Sequence, residues 1–342
     1  MTLLHEQCPF DSSQAPALPP GRGPLSRFLV EHLRQPVHRL PVAPAPVDDA
    51  VFGDDTQLFL YLCYELHYRG LADVDDGWEW EPSLLALRQS VESRFEDGLV
   101  ALVGPPPAAC ADNVADALHA LIAEASGPSL SRYFVERATL HEFREFAIHR
   151  SGYQLKEADP HSWAIPRFSG VPKAALVEIQ SDEYGGGRVG AAHADLFATT
   201  MAALGLDPTY GAYVDRLPGT TLATTNLVSF LGLQRRWRGA LIGHLAVFEM
   251  TSVEPMGRYS LTLRHLGIPA AGRRFYDVHV EADARHEVIA AGDLAGGLAR
   301  AEPALVGDIL FGARALMAVE GRFTADLLAS WAAGASSLLP PR

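Results

Sequence analysis

Apolar residues recur at helical spacing through most of this chain. Thr56–Arg69 (TQLFLYLCYELHYR) is strongly apolar, and Leu25–Arg39 carries a shorter amphipathic pattern. Pro82–Leu99 and Asn113–Ala125 repeat the spacing, and GPPPAAC breaks it between them. Residues 11–24 and 41–49, rich in Pro, Ser and Gly, read as extended arms. From residue 128 onward the texture changes. The spacing there predicts one long helix over Leu130–Leu155, ended at Asp159-Pro160. It predicts another over Val171–Glu183, which runs into Gly185-Gly186-Gly187 and resumes toward Leu204. Tyr210–Leu217, Thr220–Leu233, Arg235–Thr251, Arg273–Ala291 and Pro303–Trp331 are further helices. No run alternates apolar and polar residues as a half-buried strand does, and no repeat of fixed period is visible. The expected fold is all-α, with a helical N-terminal region over 1–127 and a helical bundle over 128–335. The first region has apolar helices and no chemistry, so it is expected to pack against a second copy in a homodimer.

Composition narrows the partners. The 342 residues are 48% hydrophobic and 20% charged, enough for a large core. A net charge of −13 argues against nucleic acid or an anionic membrane, since both call for a basic face. Cys8, Cys63 and Cys110 are far apart and form no CxxC pair. A disulfide framework and a Cys-ligated zinc are therefore not expected, and a reducing, cytoplasmic compartment is. The N-terminal residues show no basic-then-apolar leader, and no apolar run reaches membrane-spanning length.

The candidate chemistry lies in His279-Val-Glu-Ala-Asp283-Ala-Arg-His286. Its ligand residues stand at i, i+4 and i+7 and project from one helical face. Two imidazoles and a carboxylate suit a divalent metal such as iron. Glu249 lies in an otherwise apolar segment, where a carboxylate is costly unless paired or metal-bound; it could equally mark a partly exposed helix end. Glu183 and His193 flank the glycine cluster. An unbroken helix would set them roughly 15 Å apart, so only a break at the glycines brings them together. Glu178 is a rival carboxylate. The Glu-x-x-His spacing of ferritin-like di-iron proteins is absent. His141, Glu145 and His149 share a face, but Arg144 and Arg150 beside them suggest an ion-pair-laced surface.

The stretches His141–Phe146, Tyr153–Pro160, Glu178–Gly187, Gly243–Glu249 and Tyr276–His286 together resemble the haem-oxygenase-like di-iron oxidases and oxygenases. Within that family they resemble the central domain of the arginine N-oxygenase of the streptozotocin pathway. The resemblance implies a haem-oxygenase-like helical bundle. It implies metal ligation by Glu183 and His193, Glu249, and His279, Asp283 and His286, with Glu157 joining the cluster and Glu157, Glu183 and His193 serving catalysis. The cofactor would be two iron ions cycling between Fe2+ and Fe3+, with O2 as co-substrate. Glu157, Glu183, Glu249 and Asp283 would bring four negative charges to match two ferrous ions. The implied activity is a monooxygenase that oxidises an amine or guanidine nitrogen of a small metabolite to a hydroxylamine, and onward to nitro, in natural-product biosynthesis. Electrons would come from a reductase that the sequence does not name. The glycine break implies a weaker metal position at His193. Two alternatives stand beside this reading. One is a di-iron oxidase that cleaves or desaturates a C–C bond of an amino or fatty acid. The other is a non-catalytic helical dimer that binds a small ligand.

Overall fold

Caps, glycines and prolines decide where the apolar repeat is cut into separate helices. The computed structural model describes residues 15–108 and 110–341. Its N-terminal region comprises α1 (Pro24–Leu33), α2 (Asp54–Glu65), α3 (Pro82–Val103) and α4 (Val114–Glu124). Then come α5 (Leu130–Arg137), α6 (Leu140–Gln154), the short α7 (Asp159–Ser162), α8 (Gly170–Glu183) and α9 (His193–Ala203). The chain continues through α10 (Gly219–Leu233), α11 (Arg238–Thr251), α12 (Val253–His265), α13 (Ala270–Ile289), α14 (Gly297–Ala301) and α15 (Val306–Ala332). Among the described residues there is no strand, in line with the all-α expectation. None of the described helices is long and apolar enough to cross a membrane. Cys8 and the start of the 11–24 arm lie outside the described residues.

Several boundaries differ from expectation, each for a local reason. Leu130–Leu155 is two helices, because Thr139 caps a new one. The Thr139 hydroxyl accepts from the Glu142 N–H, and the Glu142 carboxylate accepts from the Thr139 N–H at 2.7 Å. Helix α1 stops at Leu33, ahead of Gln35-Pro36, where the residue before a proline leaves the α region. Tyr210–Leu217 holds only a 3-10 turn at Val214–Arg216. Helix α12 was not expected, since Pro255 and Gly257 argue against it. Pro255 sits in its first turn, where a missing N–H costs nothing. Beyond α13 the chain widens into a π-helical turn, Ala290–Gly296, which the spacing does not announce.

Packing ties the N-terminal region to the rest. Asp55 at the start of α2 accepts from the Leu25 and Ser26 N–H groups and so caps α1. Helix α2 is buried from Asp55 to Glu65 and packs on α10, so its apolar surface is used within the chain and not left for a second copy. One hydrophobic cluster runs from Leu25 to Leu338 and takes in α2, α8, α10, α11 and α15. A second, aromatic cluster joins Phe134, Phe143, Phe197, Phe275, Tyr276 and Trp331. Helices α8 and α11 leave the first cluster, and α9 and α13 the second, to meet at the candidate site.

Glu145 and His149 are buried, which corrects the surface reading of that face. The Glu145 carboxylate accepts from Trp331 Nε1 at 2.8 Å, from the Ser337 N–H and from the Ser336 and Ser337 hydroxyls. His149 bonds Thr221 and Ser337. These contacts pin the C-terminal tail to α6. Burial opposes the charge on Glu145, but the serine and tryptophan hydrogen bonds outweigh it and hold the carboxyl down to about 2 from an ordinary 4.5. Its stabilisation is therefore full above the ordinary value and lost as pH falls through the folded one. In Glu145→Gln, the stability deficit against wild type is expected at neutral pH and should close as pH falls toward 2. Thermal unfolding across pH checks this; a deficit that does not vary with pH contradicts it.

Candidate metal centre

Helix α13 presents His279, Asp283 and His286 on one buried face. Three further segments close on that face. Helix α8 ends at Glu183, the chain turns through Gly185–Gly187, and α9 begins at His193. Gly185, Gly186, Gly187 and Gly190 all have positive φ, a conformation that L side chains resist. A Cβ on Gly185 would lie 2.4 Å from the Ala191 carbonyl carbon. The turn brings His193 Nδ1 to 2.8 Å from Glu183 Oε2. Helix α11 supplies Glu249, and the turn after α6 supplies Glu157.

Two overlapping groups result. Glu157, Glu183, His193 and His279 each offer an atom within 4.8 Å of the others, and so do Glu183, Glu249 and His286. Glu183 belongs to both. Asp283 Oδ1 lies beside the second group, 3.6 Å from His286 Nδ1. Glu178 is half-exposed and faces Arg285 at 3.7 Å, so it stands outside both groups.

The donor atoms are poised for a cation. Glu157 Oε2, Glu183 Oε2, His193 Nδ1, Asp283 Oδ1 and His286 Nδ1 are buried without a hydrogen-bond partner; the close Glu183–His193 pair is poorly aligned for one. Each such atom costs about 1–3 kcal/mol if nothing satisfies it. The outer nitrogens fix which ring atom faces inward. His279 Nδ1 pairs with the Phe275 carbonyl at 2.7 Å, which leaves Nε2 for the cluster. His286 Nε2 pairs with Asp182 Oδ2 at 3.0 Å, which leaves Nδ1. Ser252 donates to Asp283 Oδ2 at 2.5 Å. The residues present fit a carboxylate- and imidazole-bound metal such as iron.

The titration behaviour of the protein groups shows the same strain. Burial and then the charges of Glu183, Asp283 and Glu249 push Glu157 well above the carboxylate range. Burial lifts Glu249 to about 7. Burial opposes the charge on Glu183 too, but His193, His279 and His286 outweigh it and hold the carboxyl down to about 2. Burial resists a charge on His286, yet the carboxylates of Asp283, Glu249 and Asp182 around it raise it to about 11. Four crowded carboxylates are costly by themselves; divalent cations at the same point reverse the sign of that cost.

Two supporting residues escape the spacing argument. Asp182 is simply the neighbour of Glu183 in sequence, and Ser252 lies just past the end of α11. Asp182→Ala is expected to lower metal affinity by about 10–100-fold through loss of the His286 orientation. Metal titration against wild type checks this, and unchanged affinity contradicts it. Elsewhere Glu65 pairs with Lys156, His67 with Glu79, Arg236 with Glu96 and Arg238 with Glu302, and none of these reaches the cluster. Phe143, Phe146 and Tyr153 are buried in the core.

A void of about 40 Å³ lies among Glu157, Glu183, Glu249, His279 and Asp283. Tyr153, Glu157, Phe248, Ser252 and Met256 also line a larger chamber of about 340 Å³, within the range of small-ligand pockets. Its walls are largely apolar, from Leu130, Phe146, Val247 and Leu316 among others. Its polar end holds Arg150 and Glu320, joined by two hydrogen bonds of 2.8 and 2.7 Å, and Gln154, whose buried amide oxygen has no donor.

Residues 144–321 match the profile of a family described as iron-containing redox enzyme. The matched stretch contains all seven residues of the candidate cluster. No curated protein matches the chain.

Proposed function

This chain belongs to the iron-containing redox enzyme family, with its haem-oxygenase-like helical fold, and from that premise we propose a non-haem di-iron N-oxygenase. One iron would be held by Glu157, Glu183, His193 and His279, and the other by Glu183, Glu249, Asp283 and His286. Iron there supplies the binding and reduction of dioxygen. The substrate is an amine or guanidine of a small metabolite. Hydroxylating such a nitrogen consumes one O2, two electrons and two protons, and yields the hydroxylamine and one water. The electrons come from an external reductase.

The observation that carries the reading is the chamber beside Glu157. It holds an acceptor without a donor: Gln154 Oε1 is buried and unpaired. A ligand bearing an N–H group supplies what it lacks. Arg150 and Glu320 satisfy each other, so they set the chamber's polar end without adding net charge. Tyr153 and Phe248, stacked with ring centroids 5.5 Å apart, wall the end next to Glu157.

The apolar walls favour a second reading, an oxidase that cleaves or desaturates a C–C bond. A mass-spectrometric screen of amines, amino acids and fatty acids with iron, O2 and a reductant separates the two. Products that keep every carbon and gain oxygen on nitrogen support N-oxygenation; chain-shortened or unsaturated products overturn it. We further propose a cytoplasmic homodimer that joins through the 1–127 region, where Val42, Val47 and Trp80 are exposed. Sedimentation showing a monomer at micromolar concentration contradicts it.

A further inference from the structure

Glu157 sits in a turn, residues 155–158, between α6 and α7. Three of the four residues of that turn are held from outside it. Arg69 Nη2 donates to the Leu155 carbonyl at 3.3 Å. Lys156 Nζ donates to Glu65 Oε2 at 2.8 Å. Gln180 Nε2 donates to the Ala158 carbonyl at 2.8 Å. Glu65 and Arg69 come from the end of α2 and the residues after it, and Gln180 from α8.

The Lys156–Glu65 contact is the only charge pair in this set. Glu65 is fully buried and Lys156 is 2% exposed. Tyr210 donates its hydroxyl to both Glu65 oxygens, at 2.7 and 2.9 Å. The Lys156 ammonium lies 4.2 Å from the centre of the Tyr68 ring and 5.0 Å from that of Tyr61. A buried ion pair is poor value as pure stabilisation, because well-packed apolar side chains of the same volume do as well or better. What such a pair adds is a defined geometry. Here the defined point is the residue next to Glu157, whose own carboxylate has a partnerless oxygen facing the cluster.

We propose that Glu65 and Lys156 are positioning residues that hold Glu157 at the metal centre, so that α2 is a working part of the site. The inference rests on the reading of Glu157 as a metal ligand. Its consequence is that the N-terminal region does more than offer a surface to a second copy.

The test is anaerobic titration with Co2+, followed by its visible absorption, on the full chain. The double variant Glu65→Leu/Lys156→Met removes both charges together and leaves no lone buried ion. It is expected to keep its helical circular dichroism and to bind Co2+ unchanged at the Glu183/Glu249/His286 group. Affinity at the Glu157 group is expected to fall about 10–100-fold, the range for loss of a ligand's support. Glu157→Gln should produce the same spectral loss, and adding it to the double variant should cost nothing more, because both remove one interaction. A folded double variant that binds Co2+ like wild type overturns the proposal and leaves Glu157 as a ligand. Glu157→Gln with wild-type binding overturns the ligand reading itself, and the proposal with it. Should the double variant not fold, Tyr210→Phe decides. It keeps the pair but removes both hydroxyl bonds to Glu65, and a smaller loss confined to the Glu157 group is expected; unchanged binding overturns the proposal.

Discussion

Replacing Glu183 by alanine is expected to abolish iron binding at both positions and to bring oxygen consumption down to background. Glu183 is the one residue common to the two ligand groups, so its loss cannot be compensated from within either. The effect should exceed the roughly 100-fold that removal of an outer partner costs. Glu249→Ala is the comparison. It strips only the second group, so the group of Glu157, Glu183, His193 and His279 should still take metal. No backbone group depends on the Glu183 carboxylate, so helical content should not change in Glu183→Ala. Iron analysis after anaerobic loading reads the outcome directly. Wild-type iron content in Glu183→Ala contradicts the placement of the site.

A second large effect is expected where α11 and α15 touch. A Cβ on Gly243 would stand 1.8 Å from the Ile309 carbonyl oxygen, and one on Gly312 would stand 1.9 Å from the Ala240 carbonyl oxygen. Both neighbours are backbone, so no rotamer change relieves the overlap, and the helices must move apart. Gly243→Ala should destabilise the protein by about 3 kcal/mol or more and lower the Tm by roughly 5–10 °C. Glu249 rides on the same helix, so metal affinity should fall as well. Gly321 on α15 has nothing within 4 Å of its would-be Cβ. Gly321→Ala should therefore be neutral or stabilising by up to about 1 kcal/mol. Thermal unfolding of the two variants side by side checks both statements, and equal Tm values contradict the first.

The helical content was legible because its apolar periodicity is long and regular. What the periodicity could not show were the interruptions. Thr139 reads as one more polar position in a helix until its capping box with Glu142 is seen. Pro255 and Gly257 hide α12, and a π turn leaves no mark on a repeat of 3.6. The His279, Asp283 and His286 face was readable because all three ligands lie on one helix. Glu183 and His193 came within reach through their glycines. The partners contributed from elsewhere were not legible. Asp182, Ser252 and the Phe275 carbonyl act through orientation and carry no spacing signature. The Glu65–Lys156 pair joins residues 91 apart in sequence, and neither residue points to the other locally. Glu145 and His149 read as a surface face because Arg144 and Arg150 flank them. In the fold, Arg144 caps the Leu204 carbonyl and Arg150 pairs with Glu320, which leaves Glu145 and His149 to the interior.

The measurement that tests the account most directly is anaerobic titration of the metal-free protein with Fe2+, with bound iron counted by elemental analysis and resolved by Mössbauer spectroscopy. The predicted result is two iron ions per chain in distinct environments, with the position that uses His193 filling last because a turn of glycines carries it. One iron per chain, or none, at saturating Fe2+ would contradict it.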